Sequence, residues 1–145
     1  VSDHAGVACK ASLARALRDA GHDVVDLGTH DETSVDYPDF AAKGAREVAA
    51  GRAERGVFLC GTGIGVCIAA NKVRGVRAAN PADEHGAEMA RRHNDANVLC
   101  LGARVLEDAK AWRLVERFLS TPFDGGRHAG RVEKIARIER EECAG

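Results

Sequence analysis

The chain has almost no net charge: 21 Lys and Arg stand against 22 Asp and Glu, a formal −1 at pH 7. Without a global field of either sign, nothing draws it to nucleic acid or to a membrane surface. No apolar run approaches the ~20 residues of a membrane span, and no signal peptide is visible. Zinc-type CxxC pairs are missing as well. Cys9, Cys60, Cys67, Cys100 and Cys143 form an odd set, which reads as reduced thiols in a cytoplasmic protein rather than as a disulfide framework. Linkers, repeats and low-complexity stretches are also lacking. The 145 residues therefore read as a single domain over 1–145, long enough for a core and short for two.

What is present alternates between two periods. Cys9, Leu13, Ala16, Leu17 and Ala20 recur at helical spacing, and Gly21 supplies a stop. DVVDL (Asp23 to Leu27) reads as a strand. Pro38 suits the first turn of a helix that buries Phe40, Ala41, Ala45, Val48 and Ala49 and ends at Gly51. GVFLC (Gly56 to Cys60) is a continuous apolar run, the signature of a strand covered on both faces. A helix over Gly65 to Asn71, a brief strand VRAA (Val76 to Ala79) and a polar helix over Pro81 to Asn94 follow. NVLCL (Asn97 to Leu101) is another buried strand, Glu107 to Ser120 a helix, and Arg131 to Glu142 a last, highly charged helix.

Strands alternating with helices imply right-handed crossovers and a parallel sheet covered on both sides. The expectation is a Rossmann-like, three-layer αβα sandwich with five parallel strands. Val1 directly precedes a loop-like SDHAG, so the initial strand is expected to be missing or shortened.

Ligands of such sheets bind beyond the carboxyl ends of the strands. Four chemically loaded loops fall on that rim: SDHAG (Ser2 to Gly6), DYP (Asp36 to Pro38), CGTGIG (Cys60 to Gly65) and HNDAN (His93 to Asn97). Glycines at 61, 63 and 65 let backbone N–H groups close on an anion such as a phosphate or an enediolate. The other reading of this loop is a tight strand-to-helix turn without a ligand. A dinucleotide fingerprint fits poorly, because the spacing is GxGxG and does not follow the first strand. A P-loop is excluded by the lack of GKS or GKT.

Cys60 sits just before that loop, where a thiolate can act as base or nucleophile. A cysteine ending an apolar strand is equally at home as a core residue. His4 and His93 lie in rim loops, whereas His22, His30 and His85 read as surface residues. Arg127 and Arg131 are four apart, so on a helix they share a face able to hold a phosphate. Arg104 follows the last strand and can reach the same rim.

SDHAG, DYPDFA, CGTGIGVCIAANK, RRHNDANVLCLGARV and GGRHAGRV, in this order, resemble the type B ribose-5-phosphate isomerases of the RpiB/LacAB sugar-phosphate isomerase family. The likeness runs from Ser2 to about Glu142. It implies a Rossmann-like fold and a homodimer or tetramer with active sites shared between subunits, the C-terminal helix packing on the partner. It implies aldose–ketose isomerisation of D-ribose 5-phosphate and D-ribulose 5-phosphate through an enediolate, in the pentose phosphate pathway, with no metal and no organic cofactor. Cys60, matching the base of the cysteine-type members, would move a proton between C2 and C1; the glutamate that other members carry at the position of Val66 is absent here. His93 would open the furanose ring. Thr62, Gly61, Gly63, Ile64 and Gly65 would hold the enediolate. Asp3 and Asn94 would hold sugar oxygens, and Tyr37 would line the pocket. His4, Arg127, Arg131 and Arg104 would grip the phosphate. The same chemistry on allose 6-phosphate, galactose 6-phosphate or a tetrulose phosphate, and a non-catalytic sugar-phosphate-binding module, stand as alternatives.

Overall fold

In the computed structural model, which describes residues 1–143, two apolar clusters lie on opposite faces of one sheet. The sheet is built from β1 (Gly56–Cys60), β2 (Ala78–Ala79) and β3 (Val98–Gly102), parallel and in the order β1–β3–β2. Side chains alternate across a strand, and this sequence uses both sides. Leu59, Leu99 and Leu101 enter one cluster with Cys9, Leu13 and Leu17 of α1 (Val7–Asp19), Ala87 and Ala90 of α4 (Glu84–Arg92), and Leu114, Val115 and Phe118 of α5 (Asp108–Ser120). Phe58, Cys60, Val98 and Cys100 enter the other with Ala41, Ala45 and Val48 of α2 (Tyr37–Ala49) and Val66 and Ala70 of α3 (Ile64–Ala70). The expected three layers are therefore present. Each fully buried Leu or Phe adds about 1.5–3 kcal/mol by leaving water, so the central β1–β3 pair is the best-anchored part of the rim.

The strand count differs from expectation: three among the described residues, not five. Asp23–Leu27 has no ladder, and Val25 is exposed. Its neighbour is Val1–Asp3, which lies extended along β1: Leu59 N–H donates to Val1 O (2.9 Å), Asp3 N–H to Leu59 O (3.2 Å), and Ser2 bridges Leu59 in parallel. On its other side this short segment receives one bond, from Thr29 N–H to Ser2 O (3.2 Å). Apolar residues in DVVDL do not by themselves make a strand, and its backbone enters no ladder here. VRAA likewise shrinks to Ala78–Ala79, because Arg77 N–H donates to the Asn97 side chain at 2.8 Å instead of to a ladder.

The last helix starts earlier than its charge pattern suggests. α6 spans Arg127–Glu142, set off by Gly125 (φ +64°) and Gly126 (φ +53°), a left-handed pair only glycine adopts without strain. Its one buried residue is His128, while Ile135 and Ile138 face outward. Among the described residues no helix is long and apolar enough to cross a membrane.

Candidate active site

Cys60 and Gly102 pair at the carboxyl end of the two central strands, and the CGTGIG loop starts at that edge. The loop after β1 folds against the end of β3. Ala103 N–H donates to Cys60 O (2.9 Å) and Arg104 N–H to Gly61 O (3.0 Å). A Cβ at Gly102 would lie 2.7 Å from the Thr62 backbone, so the contact depends on glycine there. Within the loop, Gly63 N–H donates to Cys60 Sγ at 3.2 Å and Ile64 N–H to Thr62 Oγ1 at 3.3 Å. Gly63 holds φ +81°, which turns the chain from the loop into α3. The nest expected from the glycine spacing thus points first at the thiol.

Several expected residues sit on segments next to this loop. Asp3 follows the Ser2–Leu59 bridge and is buried; its Oδ1 caps a 3₁₀ turn by accepting from Ala5 N–H (2.9 Å). His4 Nδ1 accepts from Val35 N–H at 3.2 Å. That bond places the ring proton on Nε2, so His4 presents a donor outward. Tyr37, at the start of α2, packs its ring on the Gly65 backbone, where a Cβ would come within 2.7 Å of Cε2 and Cζ. The Arg104 side chain lies over Gly61, its Cδ and NH1 3.5 Å from where a Cβ would be.

His93, Asn94, Arg127 and Arg131 form a second group. His93 caps α4, its N–H donating to Met89 O (2.9 Å), and its ring stacks on His128 with centroids 4.1 Å apart and 9° between planes. Arg127 and Arg131 both lie on α6 and are exposed, four residues apart as the sequence suggests. Burial, and then the charges of His93, Arg127 and Arg131, hold the His128 imidazole below the usual histidine range. Among the described residues no hydrogen bond or ion pair joins this group to the group around Cys60.

Three side chains that carry the site were not singled out in the sequence. Asp95 adopts φ +46° and is gripped by Arg91 (NH1–Oδ1 2.9 Å) and Arg77 (NH2–Oδ2 3.1 Å). Arg77 Nε also donates to Asn94 O at 3.1 Å. This fixes the turn that presents His93 and Asn94. The signal was the Asp within HNDAN, a residue type that tolerates the left-handed region. Asn80, whose amide reaches Thr62 O at 3.4 Å, and Asn71, which bridges α3 to Ala78, steady the loop from the far side.

The other thiols have structural company. Burial, reinforced by Asp108, pushes the Cys9 thiol up to about 12. The neighbouring Cys67 thiol, and then burial, drive the Cys100 thiol up. Val66 is fully buried in the core, so the chain offers no carboxylate there. His93, Asp124 and His128 bring donor atoms within 4.8 Å of one another. They form a poor cation site, because both Asp124 oxygens are 3.1 Å from Arg92 Nε and the parallel imidazoles do not converge.

A profile of the Ribose/Galactose Isomerase family matches residues 1–135. The fold superposes on the structure of Clostridium thermocellum ribose-5-phosphate isomerase B with a TM-score of 0.96 and 49% identity, covering 97% of this chain and 95% of that one. A Mycoplasma genitalium ribose-5-phosphate isomerase B, solved with bound ribulose-5-phosphate, gives a TM-score of 0.92 and 44% identity over 97% and 93% of the two chains. The curated Mycoplasma genitalium relative, a probable ribose-5-phosphate isomerase B, is 44% identical over 142 residues, 97% of this chain and 93% of its own length.

Proposed function

The chain belongs to the Ribose/Galactose Isomerase family, and on that footing we propose that it interconverts D-ribose 5-phosphate and D-ribulose 5-phosphate through an enediolate. It is an aldose–ketose isomerase. The observation that carries the site assignment is the Cys60 thiol at the strand edge, with the Gly63 N–H on its sulfur and the glycine loop arched over it.

Proton abstraction next to a carbonyl needs a base within hydrogen-bond reach and donors for the oxyanion. Cys60 takes the C2 proton of the open-chain aldose. The C2–H electron pair becomes the C1–C2 double bond, and the negative charge moves to O1. The thiol returns its proton to C1 while the O2 proton passes to O1, leaving a ketone at C2 and a hydroxyl at C1. Thr62 and the Gly61–Gly65 backbone, Ile64 included, bear the charge in between. Asp3 and Asn94 hold sugar hydroxyls, and Tyr37 closes the wall.

His93 opens the furanose by moving a proton between the ring oxygen and the anomeric hydroxyl. His4, Arg104, Arg127 and Arg131 hold the phosphate, whose binding energy orients the remote carbons. The site is shared by two copies, with α6 on the partner; its outward Ile135 and Ile138 support that packing. The free cysteines support a reducing, cytoplasmic setting.

The test is kcat/KM of the purified protein on ribose 5-phosphate beside allose 6-phosphate, galactose 6-phosphate and a tetrulose phosphate. Preference for ribose 5-phosphate is expected. Preference for another sugar phosphate would overturn the substrate assignment, and binding without turnover on all four would overturn the isomerase reading.

A further inference from the structure

His93 has an unusual support. Among the described residues its ring nitrogens make no hydrogen bond, and its backbone is held only as the cap of α4. What fixes the ring is the face of His128, parallel within 9° at 4.1 Å. His128 itself is 8% exposed, and three ties to the last turn of α4 hold its segment. Arg91 Nε donates to Thr121 O (3.2 Å), Asp124 N–H donates to Arg92 O (3.0 Å), and Arg92 Nε reaches both Asp124 oxygens. The two left-handed glycines then turn the chain so that the first turn of α6 brings His128 back over His93.

We propose that His128 is a positioning residue for ring opening: its imidazole is the platform that orients the His93 ring while leaving both His93 nitrogens free for the sugar. This rests on the reading of His93 as the ring-opening group. A hydrogen bond from the protein would fix the ring equally well, but it would occupy one nitrogen and set its tautomer. Ring opening needs a proton delivered at one oxygen and removed at another, so a ring held by its face is the better instrument. A neutral platform also suits a His93 that becomes transiently cationic, since two charged imidazoles would repel. Burial and the neighbouring Arg127 and Arg131 favour the neutral form of His128.

The experiment compares two reactions of the same enzyme. Ribose 5-phosphate is a furanose that must be opened. Ribulose 5-phosphate has its O5 phosphorylated and forms no furanose, so exchange of its C1 proton with D₂O needs Cys60 but no ring opening. For His128→Ala, turnover of ribose 5-phosphate should fall about 10-fold or more, as misplacement of a reacting group costs, with C1 exchange within about twofold of the parent. His128→Phe, which keeps a flat face without a titratable nitrogen, should recover most of the lost turnover. Equal loss in both reactions, or an effect confined to KM, would assign His128 to folding or to phosphate binding and overturn the proposal. His93→Asn is run alongside. If it slows both reactions equally, the ring-opening reading fails and the inference falls with it. If only His93→Asn is selective, the inference fails alone.

Discussion

The Gly63 N–H donates to Cys60 Sγ across 3.2 Å, at the level where β1 and β3 end. One residue in a left-handed conformation thus supports the reacting sulfur and shapes the loop above it.

Gly63→Ala tests this coupling. A left-handed alanine costs about 1–2 kcal/mol, and its Cβ would meet the Leu101 carbonyl carbon at 2.8 Å. The N–H is kept, but a clash that shifts the loop misaims its donors, and a misplacement of about 1 Å costs about 10²-fold in rate. A lowered melting temperature together with a kcat loss of about 100-fold is expected. Thermal melts and steady-state kinetics check it; a stability loss with intact kcat would mean that the loop geometry is not catalytic.

Arg131→Ala removes an exposed cation from α6. KM for ribose 5-phosphate should rise about 10-fold or more, given the worth of a charge-assisted bond, with a smaller change in kcat. A loss confined to kcat contradicts the phosphate assignment.

Asp95→Ala leaves Arg91 and Arg77 without their carboxylate and releases the turn that presents His93 and Asn94. Arg91 is 3% exposed. Asp95 is itself 35% exposed and Arg91 keeps the Thr121 and Ala96 carbonyls, so the loss in urea unfolding should be about 1–3 kcal/mol, and turnover of ribose 5-phosphate should drop with it. Unchanged unfolding would mean that the ion pairs contribute nothing.

Lys10 and Asp26 carry a pH dependence. Burial raises the Asp26 carboxyl, but the Lys10 ammonium at 2.5 Å and the Gly28 N–H at 3.1 Å outweigh it and hold the group below its usual value. A carboxyl depressed by folding gives stability above its unfolded value, about 3.9, and loses it as pH falls through the folded value. Lys10→Met should cost about 1.5–3 kcal/mol at pH 7 and progressively less as Asp26 becomes protonated in the parent. Urea melts at pH 7 and pH 3 measure the difference; an equal cost at both would show that the pair is not its source.

Much of this was legible because the physics was local. The run GVFLC gave β1 to the residue, and NVLCL gave β3 to within one, since strands buried on both faces show an uninterrupted apolar signal. DVVDL, with two Asp in five residues, carried a weaker signal and forms no ladder. The start of α6 was hidden by charge, although the Gly125–Gly126 pair marked it. In the site, Cys60 and the glycines stood out as types, whereas the His4 tautomer, the Asp95 grip and the His128 platform are relations between distant segments.

Proton NMR of ribose 5-phosphate in D₂O, with the parent protein and with Cys60→Ala, tests the central claim most directly. The account predicts loss of the C2 proton signal as ribulose 5-phosphate appears with the parent, and an unchanged spectrum with a variant that still binds the sugar. Exchange by Cys60→Ala at the parental rate would remove Cys60 as the base, and silence from the parent would remove ribose 5-phosphate as the substrate.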